Sequence, residues 1–206
     1  MAKLKRFIKL CDLAEIRTGF TFREKVEEVD SGNAHVLQIK DVRNIATDTC
    51  GYTLFADDLP QIDWQGKDNA IVSPECVLLP CRGEYLKAHY FVGNQDQSKA
   101  LPLIVSSQFL ILMPNKKVMP EYLCWYLNQS NVQYELRKES QGSKMPMLSV
   151  STVSQFVVEI PSLEIQKRII ELNRIWEQEQ HLTQKLLKNR EQMMMGMFKQ
   201  LLQGNK

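Results

Sequence analysis

The pattern of apolar residues changes character at Pro161. Before the proline, Phe156–Ile160 is β-branched and aromatic, which is typical of a strand. After it, apolar residues recur every three or four positions, which predicts a helix, and no proline or strong turn signal interrupts it before Gly196. We therefore predict a globular domain over residues 1–161, followed by one long helix over residues 162–206.

The predicted helix carries an apolar seam at alternating steps of four and three residues. At 1.5 Å per residue, 40 residues span about 60 Å, which is more than a domain of this size needs for its own core. We therefore expect the seam to pack as a coiled coil against a partner helix; a hairpin that folds back on itself is the alternative. Polar residues at 179, 183 and 190 interrupt the seam, and its apolar members are Ile165, Ile169, Leu172, Trp176, Leu186, Met193 and Met197.

The first 160 residues mix strand and helix patterns without regular alternation. We predict a first helix over Lys9–Arg17, stopped by Gly19, and another that opens at Pro120 and ends before Gln141. This order predicts an α+β fold, with an irregular β-rich core and small helices. The predicted strands are Ala34–Lys40, Ala70–Leu79, Leu103–Met113 and Phe156–Ile160.

Composition places the chain among ordinary globular proteins, with 44% hydrophobic and 24% charged residues. No apolar run approaches the roughly 18 residues of a membrane span. The amino terminus lacks the continuous apolar core of a signal peptide, so we expect a cytoplasmic protein without membrane contact. Residues 1–162 carry 18 Lys and Arg against 19 Asp and Glu, whereas residues 163–206 carry 8 against 5. A nearly neutral body argues against bulk attraction to nucleic acid but leaves cations for reading a specific sequence.

Catalytic signatures are missing from the sequence. It has no phosphate-binding glycine loop, no GxSxG and no HExxH motif. The five cysteines form no CxxC pair, and the three histidines are isolated, so reduced thiols are expected and a metal site is not. We therefore predict a non-catalytic protein that holds no metal or cofactor of its own.

Three polar clusters near the ends of predicted elements suggest a binding surface. Arg and Lys can bond guanine, Gln can bond adenine, and Ser can bond phosphate, so these residue types suit double-stranded DNA. Each cluster taken singly is also typical of a solvated loop. The candidates for DNA contact are Arg82, Lys87, Lys40 and Lys144, followed by Gln38, Arg43, His89, Gln141 and Ser143.

The succession of motifs resembles the specificity subunit of type I restriction-modification enzymes, in a half-length form. LCDLAEIRTGFTFR is similar to the family's entry into a target-recognition domain, and VLQIKDV to the segment that follows it. VSSQFLILMPN followed by PEYLCWYLNQS resembles its strand, turn and helix. The most specific match is QGSKMPMLSVSTVSQFVVEIPSLEIQKRIIEL, and KLLKNREQMMMGMFKQLLQGNK is similar to the family's helix end.

This resemblance implies a non-catalytic, sequence-specific reader of one half of a bipartite DNA site. In the family, long helices hold two recognition domains apart and bind methyltransferase subunits that use S-adenosylmethionine, while separate restriction subunits use ATP. Full-length members have two recognition domains and two helices, whereas this chain shows one of each. The resemblance therefore implies pairing through the long helix, with a second copy as a homodimer or with another specificity subunit.

Two other interpretations remain open at this point. The chain could be a coiled-coil assembly protein that binds no DNA, and retention on a random DNA-duplex library would separate the two. It could also be the recognition fragment of a fused methyltransferase, and failure to bind S-adenosylmethionine would remove that alternative.

Overall fold

The computed structural model describes residues 6–42, 51–83, 85–140 and 147–204. The strands are β1 Arg6–Lys9, β2 Ala14–Thr18, β3 Ala34–Leu37, β4 Thr53–Phe55, β5 Gln61–Ile62, β6 Ile71–Val72, β7 Cys76–Pro80, β8 His89–Gly93, β9 Leu103–Val105, β10 Phe109–Pro114 and β11 Val157–Ile160. The helices are α1 Pro120–Leu127, α2 Ser130–Ser140, α3 Val150–Gln155 and α4 Leu163–Gln203. The predicted α+β class and the long C-terminal helix are confirmed.

A five-stranded sheet, in the order β2-β10-β7-β8-β4, separates two apolar layers. Successive side chains of a strand point to opposite faces, and β10 follows this rule. Leu110 and Leu112 join the core under the helices, whereas Phe109 and Ile111 join the core on the other face. All four are at most 2% exposed, so this strand is buried on both sides.

A second sheet, in the order β5-β3-β9-β6, forms a smaller lobe. Its own core is built from small and β-branched side chains, including Ala34, Val36 and Ile104. Strand β3 pairs in parallel with β9, and β9 leads directly into the turn before β10 of the large sheet. The two sheets are therefore joined at the β9–β10 turn.

The root of α4 is fixed by a third, two-stranded sheet. Strand β1 pairs antiparallel with β11, with Arg6 opposite Ile160, immediately before the helix begins. The Tyr122 hydroxyl donates to the Glu159 carbonyl at 2.8 Å, which ties α1 to β11. None of the helices in the described ranges is long and apolar enough to cross a membrane.

Four sequence predictions of local structure are corrected by the fold. The helix predicted over Lys9–Arg17 is wrong. Lys9 is the last residue of β1, Leu10–Asp12 form a 3₁₀ turn, and β2 begins at Ala14. Its alternating residues pair with β10, so sheet pairing outweighs the helical spacing of its apolar residues. The helix from Pro120 breaks at residues 128–129 into α1 and α2. The two longest predicted strands are each divided by a turn, at residues 73–75 and 106–108.

Candidate nucleic-acid interface and the long helix

The turn Ser106–Gln108, between β9 and β10, is a meeting point for segments that are far apart in sequence. The backbone N–H of Ser106 donates to the Leu37 carbonyl at 3.0 Å. The backbone N–H of Ile39 donates to Oε1 of Gln108 at 3.2 Å. The end of β3, which leads into the contact candidates Gln38 and Lys40, is therefore attached to this turn.

The end of β7 is attached to the same turn. The backbone N–H of Cys81 donates to the Gln108 carbonyl at 2.8 Å, and the Cys81 carbonyl accepts from Leu148 N–H at 2.9 Å. Arg82 forms an isolated bridge with Met147, whose N–H donates to the Ser140 carbonyl at 3.2 Å. The segments on either side of residues 141–146 are thereby held beside Arg82.

A third segment, which follows β2, completes this surface. The N–H of Ser107 donates to the Phe20 carbonyl at 2.7 Å. Arg82 and Lys40 are exposed, and Phe20 and Met147 expose 37% and 45% of their surface. We call this surface the Ser107 edge, and it consists of Phe20, Gln38, Ile39, Lys40, Arg82, Ser107, Gln108 and Met147.

Three of the predicted contact residues lie on the Ser107 edge, and Lys40 and Arg82 are exposed there. The third, Gln38, is half-buried, and its side-chain Nε2 is buried without a hydrogen-bond partner among the described residues. Lys40 forms an ion pair with Glu28, and this pairing raises the pKa of Lys40 above its ordinary value. Both partners are largely exposed, so the pair can exchange for a phosphate contact at little cost. The candidates Arg43, Gln141, Ser143 and Lys144 lie outside the described residues.

Two predicted contacts turn away from this edge. The ammonium of Lys87 donates to the Asn128 carbonyl at 3.0 Å and lies 5.7 Å from the centre of the Tyr52 ring; burial lowers its pKa. His89 is only 1% exposed, and burial lowers its pKa to about 4. A buried, neutral imidazole has no surface to offer to DNA, so His89 is withdrawn as a contact candidate. Lys87 is occupied by contacts within the domain.

Five residues of the edge escaped the sequence analysis: Phe20, Ile39, Ser107, Gln108 and Met147. The polar run Ser106–Gln108 inside an apolar stretch is a turn signal between two buried strands, and it could have indicated the hairpin. No local pattern relates Phe20 to that turn or Met147 to Arg82, because these contacts join residues that are far apart in the sequence.

The long helix α4 has two distinct faces. Gln166 and Ile170 are buried against the domain, and Asn173 and Glu177 extend the same face. With 3.6 residues per turn, the predicted seam lies roughly 130° around the helix from this face. Ile169 packs partly against the domain core. The other seam residues are exposed: Ile165 38%, Leu172 69%, Trp176 56%, Leu186 50%, Met193 59% and Met197 49%.

Gln166 is the polar anchor of the helix. Its side chain is fully buried; Oε1 accepts from Met119 N–H at 2.9 Å, and Nε2 donates to the carbonyls of Lys117 and Pro161 at 3.2 and 3.0 Å. The anchor therefore satisfies one backbone donor and two acceptors that would otherwise be buried without partners.

A cleft of about 120 Å³ lies beyond this anchor, between α1, β4, β8 and α4. Trp125 and Ile170 supply apolar walls, and Arg174 forms an ion pair with Glu121 at its rim. Burial raises the pKa of Glu177, although Asn173 donates to its carboxylate at 2.9 Å. The described residues contain no group of three or more His, Cys, Asp or Glu placed to hold a metal.

Comparisons with known proteins agree with this architecture. The family model of the type I restriction modification DNA specificity domain matches residues 3–188. The type I restriction enzyme HindI specificity subunit of Haemophilus influenzae is 27% identical over 125 residues, which are 59% of this chain and 26% of that protein.

Two solved structures share the fold at 16% sequence identity. The first is a chain of a structure that describes complex assembly and conformational transition of the type I R-M system. It gives a TM-score of 0.65, and the match covers 97% of this chain and 45% of that one. The HsdS subunit from Thermoanaerobacter tengcongensis gives 0.61, covering 91% and 40%. The chain thus spans less than half the length of these relatives. Because the family model covers most of its length, the chain belongs to the type I restriction-modification DNA specificity family.

Proposed function

We propose that this chain reads one half of a bipartite DNA site through the Ser107 edge. The observation that carries the proposal is the convergence of three separate segments on one turn, which gathers Gln38, Lys40 and Arg82 at one surface. The guanidinium of Arg82 and the ammonium of Lys40 are groups that can read base edges in the major groove, and the amide of Gln38 can join them once its side chain turns outward. The hydroxyl of Ser107 is suited to a phosphate contact that sets the register.

The long helix sets the distance between two such edges. Its exposed apolar seam is expected to pair with a second copy in antiparallel orientation, since closed two-fold pairs are the commonest assemblies. Charge supports this orientation. Residues 163–181 carry three Lys and Arg against four Asp and Glu, whereas residues 182–206 carry five against one. An antiparallel pair sets each basic half opposite an acidic half.

The chemistry of modification and cleavage belongs to other subunits in this proposal. A methyltransferase subunit that uses S-adenosylmethionine and a restriction subunit that uses ATP are expected to dock on the assembled pair, and this chain catalyses neither reaction. The expected outcome with the purified chain is therefore no binding of either cofactor, as measured by calorimetry with S-adenosylmethionine and with ATP.

Selection from a random DNA-duplex library tests the reading function. The full chain, alone and with a methyltransferase subunit, should enrich a site with two defined halves and an undefined spacer. Replacing Arg82 and Lys40 with Ala should reduce binding to the enriched site by at least tenfold, because base-reading contacts contribute about 1–3 kcal/mol each. The matched control is Lys116→Ala with Lys117→Ala, two exposed cations near the root of α4.

The outcomes separate the candidate functions. No enrichment with either assembly would reject DNA reading and favour a protein-assembly role for the helix. Enrichment that survives the change of Arg82 and Lys40, but not that of the control lysines, would move the reading surface to the helix root.

A further inference from the structure

Phe20 is held at the Ser107 edge by its backbone. Its N–H donates to the Val105 carbonyl at 2.7 Å, and its carbonyl accepts from Ser107 N–H at 2.7 Å. The preceding Gly19 lies so close to the turn that a Cβ there would stand 2.2 Å from the Ser106 carbonyl oxygen. Only glycine fits this approach, so the Phe20 backbone is clamped against the β9–β10 turn on both sides.

The side chain of Phe20 is the most exposed ring of an aromatic cluster that also contains Phe22 and Trp64. It meets Phe22 and Trp64 edge-on, with ring centroids 5.1 and 4.9 Å away. Phe22 and Trp64 pack against the buried core of the small sheet, but Phe20 is not part of that core and keeps 37% of its surface exposed. The ring is thus rigidly supported from behind and open in front, which is how aromatic contact residues limit the entropy lost on binding.

The charge around this ring selects the direction of approach. The same three rings line a cleft of about 510 Å³, whose wall carries Glu24, Glu27 and Asp63 together with one cation, Lys25. Carboxylates repel phosphates, so a duplex is kept off the cleft and meets Phe20 from the side of Ser107 and its neighbours.

We propose that Phe20 is a specificity-determining residue that packs against the 5-methyl group of a thymine in the half-site. The inference rests on the proposed DNA-reading function and adds to it an apolar contact that polar residues cannot supply. Thymine alone presents a methyl group in the major groove, and phenylalanine is among its known apolar partners. Insertion between base pairs requires a mostly free ring, whereas about a third of this one is accessible, so the exposed edge suits a methyl contact instead.

A thermodynamic cycle tests this contact. The duplex enriched by the wild-type chain is compared with a copy in which each half-site thymine is replaced in turn by deoxyuridine, which lacks the methyl group. At one thymine position, the affinity of the wild type should fall about fourfold per half-site, because deoxyuridine removes one buried methyl group. Phe20→Ala should bind the thymine duplex at least fourfold more weakly and lose nothing further on deoxyuridine. Phe20→Leu, which keeps an apolar surface, should retain part of the discrimination.

The matched control is Phe7→Ala, because Phe7 is 65% exposed on β1 at the root of α4, where no contact with DNA is proposed. It should leave both affinities unchanged. The inference is overturned if Phe20→Ala keeps the wild-type ratio of thymine to deoxyuridine binding, or if the half-site contains no thymine. Circular dichroism and thermal melting of Phe20→Leu exclude loss of folding as the cause. Failure of the wild type to enrich any half-site would reject the reading function itself, which is a different result.

Discussion

The two halves of α4 differ in what surrounds them, although they form one continuous helix. Over residues 163–181 the helix buries Gln166 and Ile170 and half-buries Ile169, Asn173, Glu177, Gln180 and His181. From residue 182 to residue 203 every side chain is exposed. The first half is held by its own domain, whereas burial within the described part of the chain contributes nothing to the second half.

One continuous helix therefore combines a half that packs on its domain with a half that is exposed. The proximal half uses a polar anchor and a few apolar contacts, which fix its direction relative to the sheet. The distal half has apolar residues on a stripe and cations elsewhere, the pattern of a helix that awaits a partner. Isolated helices owe little stability to propensity alone, so the distal half needs that partner to be well formed.

Breaking the seam contact, which in the proposed antiparallel pair joins the distal half of one copy to the proximal half of the other, should have the largest effect. Leu172→Glu with Leu186→Glu places carboxylates on the exposed stripe of both copies, removing four leucines from a symmetric pair. Because each buried leucine contributes about 1.5–3 kcal/mol, dimerisation should weaken by about 6 kcal/mol or more. Light scattering at tens of micromolar should then report monomers with an intact domain. Gln178→Glu with Gln192→Glu adds the same charge on other faces and should leave the dimer in place; a wild-type monomer would contradict the pairing.

Lengthening the distal half should move the two reading edges apart. A heptad inserted after Lys185 preserves the seam approximately and adds about 10 Å, or about three base pairs along the duplex. Each half-site should keep its sequence while the spacer grows, and binding at the original spacer should fall by about 10²–10⁴-fold as bivalency is lost. The added length also rotates one edge by nearly a third of a turn about the DNA. Modification at an unchanged spacer would show that α4 does not set the distance.

Removing the proximal anchor should destabilise the domain instead. Gln166→Leu leaves the Met119 N–H and the carbonyls of Lys117 and Pro161 buried without partners. The free energy of unfolding, measured with urea, should fall by about 3 kcal/mol, since each buried unsatisfied group costs about 1–3 kcal/mol. Gln192→Leu, on the exposed distal half, is the matched control and should change the value by less than about 0.5 kcal/mol. Equal losses of unfolding free energy in the two variants would show that the proximal half of α4 is not held more firmly than the distal half.

Acid should weaken the domain through His89, the smallest of these effects. Burial lowers the pKa of His89 to about 4, below its ordinary value of 6.5. Between these values the unfolded chain binds a proton that the folded chain does not, so stability is lost as the pH falls from about 6.5 to 4. At pH 5 this loss is about 2 kcal/mol. In the His89→Phe variant, the free energy of unfolding measured with urea should fall by about 2 kcal/mol less than in the wild type between pH 7.5 and 5. His181→Leu, on α4, should not change this pH dependence.

The sequence carried more information about α4 than about the domain. A seam that repeats over ten positions is a local property, so the helix over Leu163–Gln203 could be predicted from spacing alone. The segment Lys9–Arg17 has the same apolar spacing over too few residues, and its pairing with β10 decides its structure. The edge itself depends on hydrogen bonds between Leu37, Cys81 and a turn at Ser106–Gln108, which no local pattern encodes. The partial burial of Lys87 rests on Asn128, 41 positions along the chain, whereas His89 bonds Tyr85 only four positions away and is buried within β8.

The anchor at Gln166 also makes α4 a lever with a short fixed end. From Gln166 to Gln203 the helix extends about 55 Å, so a tilt of 5° at the root displaces the tip by about 5 Å. That displacement equals about one and a half base pairs of the duplex. The contacts at the root of α4, with Gln166 among them, therefore set the direction of the helix. In the proposed pair, a small angular error at the root becomes an error of register at the far half-site.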